Sequence, residues 1–400
     1  MSDASAITRP HAAPGADQDG FSLPAWIYHD PEFFEVERQA IFRTSWQLVC
    51  HLSDIPNAGD YHLLDVLGES VIALRGEGGS VRAFYNVCRH RASRLLDAPK
   101  GHCGKRITCP YHAWTYALDG RLIGVPYRDK FQGLDVARHG LVPLEHEVFM
   151  GFVFVRFEAG LPSVREMMAP YAAEMAAYRL EEVVPQGRVT LRTRQVNWKN
   201  VADNYSDGLH INVAHAGLTR LFGDKYRIEA QHWVDKMWGP IREAPSASPS
   251  ERMYQELLSK VEHLPPELQR QWTYYKLWPN VAFDLYPDQV DFMQFIPVSA
   301  NETLIREIAY VHPDSRREMR AMRYLNWRIN RRVNIEDKAL IERVQSGMNS
   351  ASYTVGPLSD GEVCLRSFAR RMRTLIPESR LHRAPANGWS AQRRARVVPT

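Results

Sequence analysis

The sequence predicts an α+β protein in two parts, a small all-β unit followed by a larger domain in which helices cover an antiparallel sheet. Three observations carry this. The chain of 400 residues is too long for one small core and fits two domains, or one domain with another inserted. Between residues 46 and 157 the pattern is of short β runs, at 61–66, 70–75 and 81–86, split by Gly, Pro and Asn-Ala-Gly turns. Beyond Pro162, helical stripes alternate with strand-like runs.

Taken in order, residues 1–20 are rich in Ala, Pro, Asp and Gly and are expected to form a disordered arm. Residues 21–45 hold a helix that packs on the larger domain. Asp30 is its N-cap, Pro31 its first residue, and Glu32 and Glu35 favour its positive end. Phe34, Ile41 and Phe42 are its expected inward face. Residues 46–160 form the β-rich unit, 161–385 the larger domain and 386–400 a flexible tail. Within the larger domain the pattern gives a helix at 164–178, a strand at 188–195 and a helix at 197–215 ended near Gly217. A turn-rich loop at 244–250 is placed to border a pocket. Aromatic residues alternate with breakers over 272–298, as in antiparallel strands. Residues 314–347 read as one long helix or two stacked ones, with a stripe of Met322, Leu325, Ile329, Val333, Leu340 and Val344. There is no internal repeat.

Composition excludes several classes. Hydrophobic content of 44% and charged content of 24% are ordinary for a globular protein. The net charge of +4 comes from 50 basic and 46 acidic residues, and only the run at 393–396 concentrates basic charge, so no nucleic-acid partner is expected. No apolar stretch approaches the roughly 20 residues that span a bilayer; the longest, 148–157, is interrupted by Gly151 and Arg156. The first 20 residues lack the charged start and apolar run of a secretory signal. Five cysteines, an odd number, suit a reducing compartment, so the expected location is the cytoplasm.

Two of those cysteines belong to mixed ligand pairs, Cys88-Arg-His90 and Cys109-Pro-Tyr-His112. Two thiolates and two imidazoles on short loops can hold a [2Fe–2S] cluster of Rieske type, in which a Cys pair binds one iron and a His pair the other. They can also hold tetrahedral zinc. Zinc-finger spacing puts Cys with Cys and His with His, whereas a Rieske loop supplies one ligand to each iron. The mixing here favours the cluster.

A second ligand set lies in the segment from Asn197 to His215. Two histidines and a carboxylate on one face of an iron leave positions open for O2 and substrate. His210 and His215 are five residues apart, which an ideal helix would set about 140° apart. They meet at one ion only if the helix ends or widens there. The carboxylate has several candidates. Glu336 and Asp337 both fall toward the apolar stripe of the long helix, and periodicity does not choose between them; Asp203 and Asp207 remain alternatives.

The motifs Asn86-Val-Cys-Arg-His-Arg91 and Cys109-Pro-Tyr-His-Ala-Trp-Thr-Tyr116 resemble the Rieske motif of ring-hydroxylating oxygenase α subunits, and Asp119-Gly-Arg-Leu122 resembles the hairpin that follows it. The resemblance runs over roughly 25–380. Asn-Trp-Lys, Asp-Asn-Tyr and His-x4-His of the second segment are similar to the family's mononuclear iron segment, with Asp203 where many relatives have Glu. The resemblance implies a [2Fe–2S] cluster on Cys88, His90, Cys109 and His112, and mononuclear Fe(II) on His210, His215 and Asp337. It makes Asp203, Asn204 and Asp207 the candidate catalytic residues. It implies a terminal oxygenase that uses O2 and electrons from NAD(P)H, delivered by a reductase or ferredoxin, to hydroxylate a small organic substrate, aromatic in the first instance. The alternative is a monooxygenase that demethylates or hydroxylates a quaternary ammonium or an O- or N-methyl compound; a remote one is a zinc-holding interaction protein. The resemblance further implies a homotrimer, with or without a small β subunit, in which Asp207 meets His112 of the next subunit. Arg89, Arg91, Arg94, Lys100, Lys105 and Arg106 crowd the ligand loops and would steer an acidic redox partner.

Overall fold

The computed structural model describes residues 18–397. Within it, a helix at Pro31–Glu37 starts as the sequence dictates, with the Asp30 side chain accepting from the N–H of Phe33. Its inward residue is Phe33, fully buried, with Ile41 and Phe42; Phe34 is only partly covered, because the chain winds into a wider turn at Arg38–Phe42. Residues 1–17 of the expected arm lie outside the described residues. Residues 18–20 are tied down: Gln18 donates to the Arg380 carbonyl at 3.1 Å and Leu358 N–H to the Gly20 carbonyl at 2.8 Å.

The β-rich part contains three small sheets. Gln47–His51, Phe152–Arg156 and Glu145–Phe149 form one, and Val81–Tyr85, Glu69–Arg75, Asp60–Val66 and Lys100–His102 another. Arg106–Thr108, Thr115–Ala117 and Leu122–Gly124 form the third. The second and third enclose a core of their own, built on Ile72, Leu74, Phe84, Ile107, Trp114 and Tyr116. The first joins the large core instead. Arg306 from the large sheet donates to the carbonyls of Leu48, at 3.1 Å, and Val49, and Gln294 bonds Gln47 at 2.9 Å.

The larger domain is built on seven antiparallel strands in the order Val184–Arg194, Glu302–Val311, Val290–Ser299, Val281–Leu285, Gln271–Leu277, Val234–Pro240, Arg227–Ala230. The last six form a meander, and the earliest strand joins at its far edge. Trp272, Tyr275, Leu277, Phe283, Leu285 and Phe295 are fully buried, so many of the aromatics of 272–298 are sheet core. The long helix is a single one, Arg317–Met348, buried at Met322 and Ile329 and, further on, at Ile341 and Gln345 rather than Val344, which is 47% exposed.

Two further expectations give way. The helix placed at 164–178 is two short ones, Val164–Met168 and Ala172–Ala176. The described part of the expected flexible tail carries a helix, Trp389–Val397. Its Trp389 ring packs against Trp26 at 6.2 Å and Phe33 at 6.3 Å, and the Glu32 carboxylate accepts from the N–H groups of Gly388 (2.7 Å) and Ser390 (3.0 Å). One large apolar ring and a carboxylate at the helix start are enough to anchor it. Among the described residues no helix is long and apolar enough to cross a membrane.

Candidate metal centres

The two ligand loops of the β-rich part have the same construction. In each, the N–H of the fourth residue after the cysteine returns to the cysteine carbonyl, Ala92 to Cys88 at 3.1 Å and Ala113 to Cys109 at 3.0 Å. The cysteine N–H bonds the carbonyl of the fifth, Ser93 or Trp114, at 2.8 Å in both. Ala92 and Ala113 take left-handed φ values of 53° and 56°, conformations that non-glycine residues rarely adopt. Two knuckles closed this way turn Cys88 and Cys109, each 3% exposed, inward, and bring the His90 and His112 rings to 4.6 Å.

These residues fit a cluster. His90 Nδ1 is buried with no hydrogen-bond partner while its ring stacks on Trp114 at 4.9 Å and 8°. Burial holds the His90 imidazole below its ordinary value, and so in the neutral form a metal needs. Burial raises the Cys109 thiol, but the backbone N–H groups of His112 and Tyr111 outweigh it and hold the thiol below its usual range. The Tyr116 hydroxyl lies 3.3 Å from Cys88 Sγ. Cys50 and Cys364 are buried elsewhere and Cys103 is half-buried; all five thiols are free. The six basic residues around the loops are all exposed, although Arg94 pairs with Asp65 at 3.1 Å.

The second set is assembled by broken helices. Trp198–Ser206 is capped by Asn197, whose side chain accepts from Lys199 N–H. It ends at Asp207, in extended backbone, and Asp207 Oδ1 takes the Leu209 N–H at 2.8 Å to restart the chain. A single helical turn, Ile211–Ala214, follows, with His210 and His215 flanking it. The unbroken helix expected over 197–215 is therefore corrected. The breaks remove the 140° problem and bring the rings to 5.0 Å.

The long helix supplies the carboxylate. Asp337 Oδ1 lies 3.0 Å from His215 Nε2 and 3.5 Å from His210 Nε2, and the three ligand atoms lie within 4.8 Å of one another. Glu336 turns the other way and reaches His215 Nδ1 at 2.9 Å, while Asp207 Oδ2 reaches His210 Nδ1 at 3.1 Å. Each ring thus has one nitrogen toward the triad and the other on a carboxylate, which fixes tautomer and orientation. Burial lowers the affinity of His210 for a proton, yet Asp207 and Asp337 outweigh it and lift the imidazole to about 9. The same field favours a divalent cation.

Of the candidate catalytic residues, Asn204 sits in this cluster, donating to Asp337 Oδ1 at 3.2 Å. Asp203 does not. It is half-buried away from the triad, where the Tyr28 hydroxyl donates to it at 2.7 Å and desolvation raises it to about 6. Two contributors escaped the sequence reading. Gln345, buried, accepts from Asn197 N–H (2.7 Å) and Asn200 Nδ2 (2.8 Å), locking the long helix to the segment that carries the histidines. Tyr205 donates to Asp284 at 2.5 Å and points into a cavity. A lone Gln on a helical stripe of Ile and Val was the available signal for the first.

That cavity, of about 780 Å³, opens beside the triad between the sheet and the long helix, and Tyr274, Tyr286 and Phe292 line it. The turn-rich loop at 244–250 borders a separate groove, through Ser248 and Ser250.

A cluster-holding β domain joined to a domain with a two-histidine, one-carboxylate site above a substrate-sized cavity defines an iron-dependent oxygenase fed by single electrons. The comparisons with known proteins agree. A Rieske [2Fe–2S] domain matches residues 45–141, and the catalytic domain of the ring hydroxylating alpha subunit matches 173–378. The oxygenase subunit of carnitine monooxygenase from Escherichia coli (strain K12) is 30% identical over 341 residues, covering 84% of this chain and 86% of that one. The oxygenase subunit of glycine betaine monooxygenase from Chromohalobacter salexigens is 28% identical over 384 residues, covering 86% and 82%. A solved quaternary ammonium Rieske monooxygenase, described with respect to carnitine oxidation by gut microbiota and inter-subunit electron transfer, superposes with a TM-score of 0.77 at 26% identity, covering 90% of this chain and 97% of that one. The chain belongs to the ring-hydroxylating Rieske oxygenase large-subunit family. It is an oxidoreductase that incorporates O2, with a Rieske [2Fe–2S] cluster and a mononuclear iron as its cofactors.

Proposed function

We propose that this chain is the oxygenase component of a monooxygenase acting on a quaternary ammonium or N-methylated compound. The single observation that carries the reading is the match to carnitine and glycine betaine monooxygenase subunits over more than four fifths of both chains. It favours this substrate class over the aromatic ring hydroxylation that was the first expectation. Cys88, His90, Cys109 and His112 hold the cluster, and His210, His215 and Asp337 hold Fe(II).

When bound, the cluster supplies electrons singly and the mononuclear iron an open position for O2 and substrate. The protein's own part is positional. Asp207 and Glu336 hold the two imidazoles by their outer nitrogens, and Asn204 holds the Asp337 carboxylate. The cavity beside the triad would hold the C–H bond next to the substrate nitrogen. One oxygen atom enters that bond and the other leaves as water, with two electrons and two protons. The hydroxylated product then separates into an amine and a carbonyl compound.

The electrons come from a reductase or ferredoxin whose donor surface docks at the exposed basic residues near the cluster. The chain assembles as a head-to-tail homotrimer in the cytoplasm, and Asp207 bridges His210 to His112 of the neighbouring subunit. Tyr111 at the cluster tip is 56% exposed, and Leu209 and Val213 beside the triad 54% and 90%, which suits burial of both regions in such an assembly.

The test is product formation by reconstituted enzyme with its donor, NAD(P)H and O2, across a panel of quaternary ammonium compounds, methylamines and aromatic acids. Turnover confined to uncharged aromatics contradicts the reading.

A further inference from the structure

The cavity contains a charge arrangement that the metal centres do not use. Asp284, in the strand Val281–Leu285, and Asp291, in Val290–Ser299, are direct cross-strand partners, and both line the cavity. Two carboxylates opposite each other in an antiparallel pair repel, and burying them without a counter-charge costs more. Elsewhere this sheet neutralises such groups: Glu307 pairs with Arg192, and Asp235 with Lys276 at 3.0 Å. Among the described residues, no lysine, arginine or histidine pairs with Asp284 or Asp291. Asp284 accepts from the hydroxyls of Tyr205 (2.5 Å) and Tyr286 (3.3 Å), and Asp291 from Gln289 Nε2 at 3.0 and 3.1 Å.

The rings around the pair are the second observation. Tyr274 is the register partner of Asp284 on its other side, and its centroid lies 6.3 Å from Tyr205, 6.0 Å from Tyr286 and 6.5 Å from Tyr226. All four tyrosines line the cavity. Aromatic faces and unpaired carboxylates are the two groups that attract an organic cation in a partly enclosed site. Tyr205 directly follows Asn204, whose amide lies 3.2 Å from Asp337, so this wall is on the triad side of the cavity. Burial lifts Asp284 to about 7 and Asp291 well above its usual range, so each gains its negative charge by releasing a proton as an organic cation binds.

We propose that Asp284 and Asp291, with the tyrosines around them, are the cation seat of the substrate cavity and select substrates whose nitrogen is positively charged. This rests on the substrate class proposed above and assigns it to residues. A seat of this kind distinguishes charge at constant shape. It takes a trimethylammonium group and discriminates against the uncharged tert-butyl group of nearly the same volume.

The test is calorimetric binding to the iron-loaded enzyme of choline and of its neutral isostere, 3,3-dimethylbutan-1-ol. Wild type binds choline at least tenfold more tightly than the isostere. Asp284→Asn and Asp291→Asn each lose most of that preference through weaker choline binding alone, while iron content and the cluster spectrum stay as in wild type. Asp291 is the less buried of the two, so its carboxamide variant decides the matter should Asp284→Asn fail to fold. Equal binding of the two probes to wild type overturns the proposal, as does choline affinity unchanged in the variants. If quaternary ammonium compounds are turned over and both variants keep the wild-type KM, the seat alone fails. If choline does not bind and only uncharged aromatics are oxidised, the substrate class fails with it.

Discussion

Glu336 Oε2 lies 2.9 Å from His215 Nδ1, on the edge of the ring opposite Asp337, which lies 3.0 Å from Nε2. In the proposed site these two consecutive carboxylates of one helix have different tasks, one as ligand and one as support for a ligand. The expected consequence is a graded loss of iron. Asp337→Ala removes the non-cluster iron and all product formation. Glu336→Gln keeps the site but binds Fe(II) about 10–100-fold more weakly. Iron analysis with cluster spectroscopy checks both, and retention of iron in Asp337→Ala with loss in Glu336→Ala would reverse the assignment.

The symmetry of the two knuckles predicts which cysteines matter to the cluster. Cys109→Ser abolishes the reduced-cluster spectrum. Cys103→Ser, in the connection between the knuckles, leaves it intact, as do conservative changes at the buried Cys50 and Cys364. A cluster lost in Cys103→Ser would sink the assignment.

Much of this was legible in the sequence, and the reasons differ from residue to residue. The Rieske loops were readable because their ligands lie within four residues of one another. His210 and His215 were visible as a pair, but the break that lets them converge was not. It depends on the Asp207 side chain capturing Leu209 N–H, a local bond that competes with helix. Periodicity did not separate Asp337 from Glu336, and only the resemblance favoured Asp337; which carboxylate faces both histidines depends on the rotation of the long helix. The pairing of Asp284 with Asp291 is a matter of strand register, and no periodicity reveals it. Trp389 was overlooked because a basic run beside it read as tail.

The buried ion pair of Lys199 and Glu37, 2.8 Å long with both side chains fully covered, predicts a stability effect independent of activity. Lys199→Met leaves Glu37 with only the Trp198 indole N–H and destabilises the protein by about 3–5 kcal/mol. The double variant Lys199→Met/Glu37→Leu recovers much of the loss. Urea-unfolding midpoints measure both. A single variant as stable as wild type would show that the pair is not needed.

The exposed arginines and lysines around the cluster predict electrostatic docking of the electron donor. Reduction of the cluster by that donor slows as ionic strength rises, because screening shortens the range of steering. Charge reversal at Arg89 or Lys105 flattens the salt dependence. A rate independent of salt in wild type would exclude this mode of docking.

Single-turnover oxidation of pre-reduced enzyme by O2 in the presence of a quaternary ammonium substrate tests the cooperation of the two centres most directly. Wild type is expected to oxidise its cluster in step with formation of the amine product. In Asp207→Asn both metal centres still load when Fe(II) is in excess, because the substitution keeps the volume and Asp207 supports a ligand without being one, but cluster oxidation and product formation slow sharply together. Cluster oxidation at the wild-type rate in Asp207→Asn, or a mononuclear site that stays empty at saturating Fe(II), would contradict this.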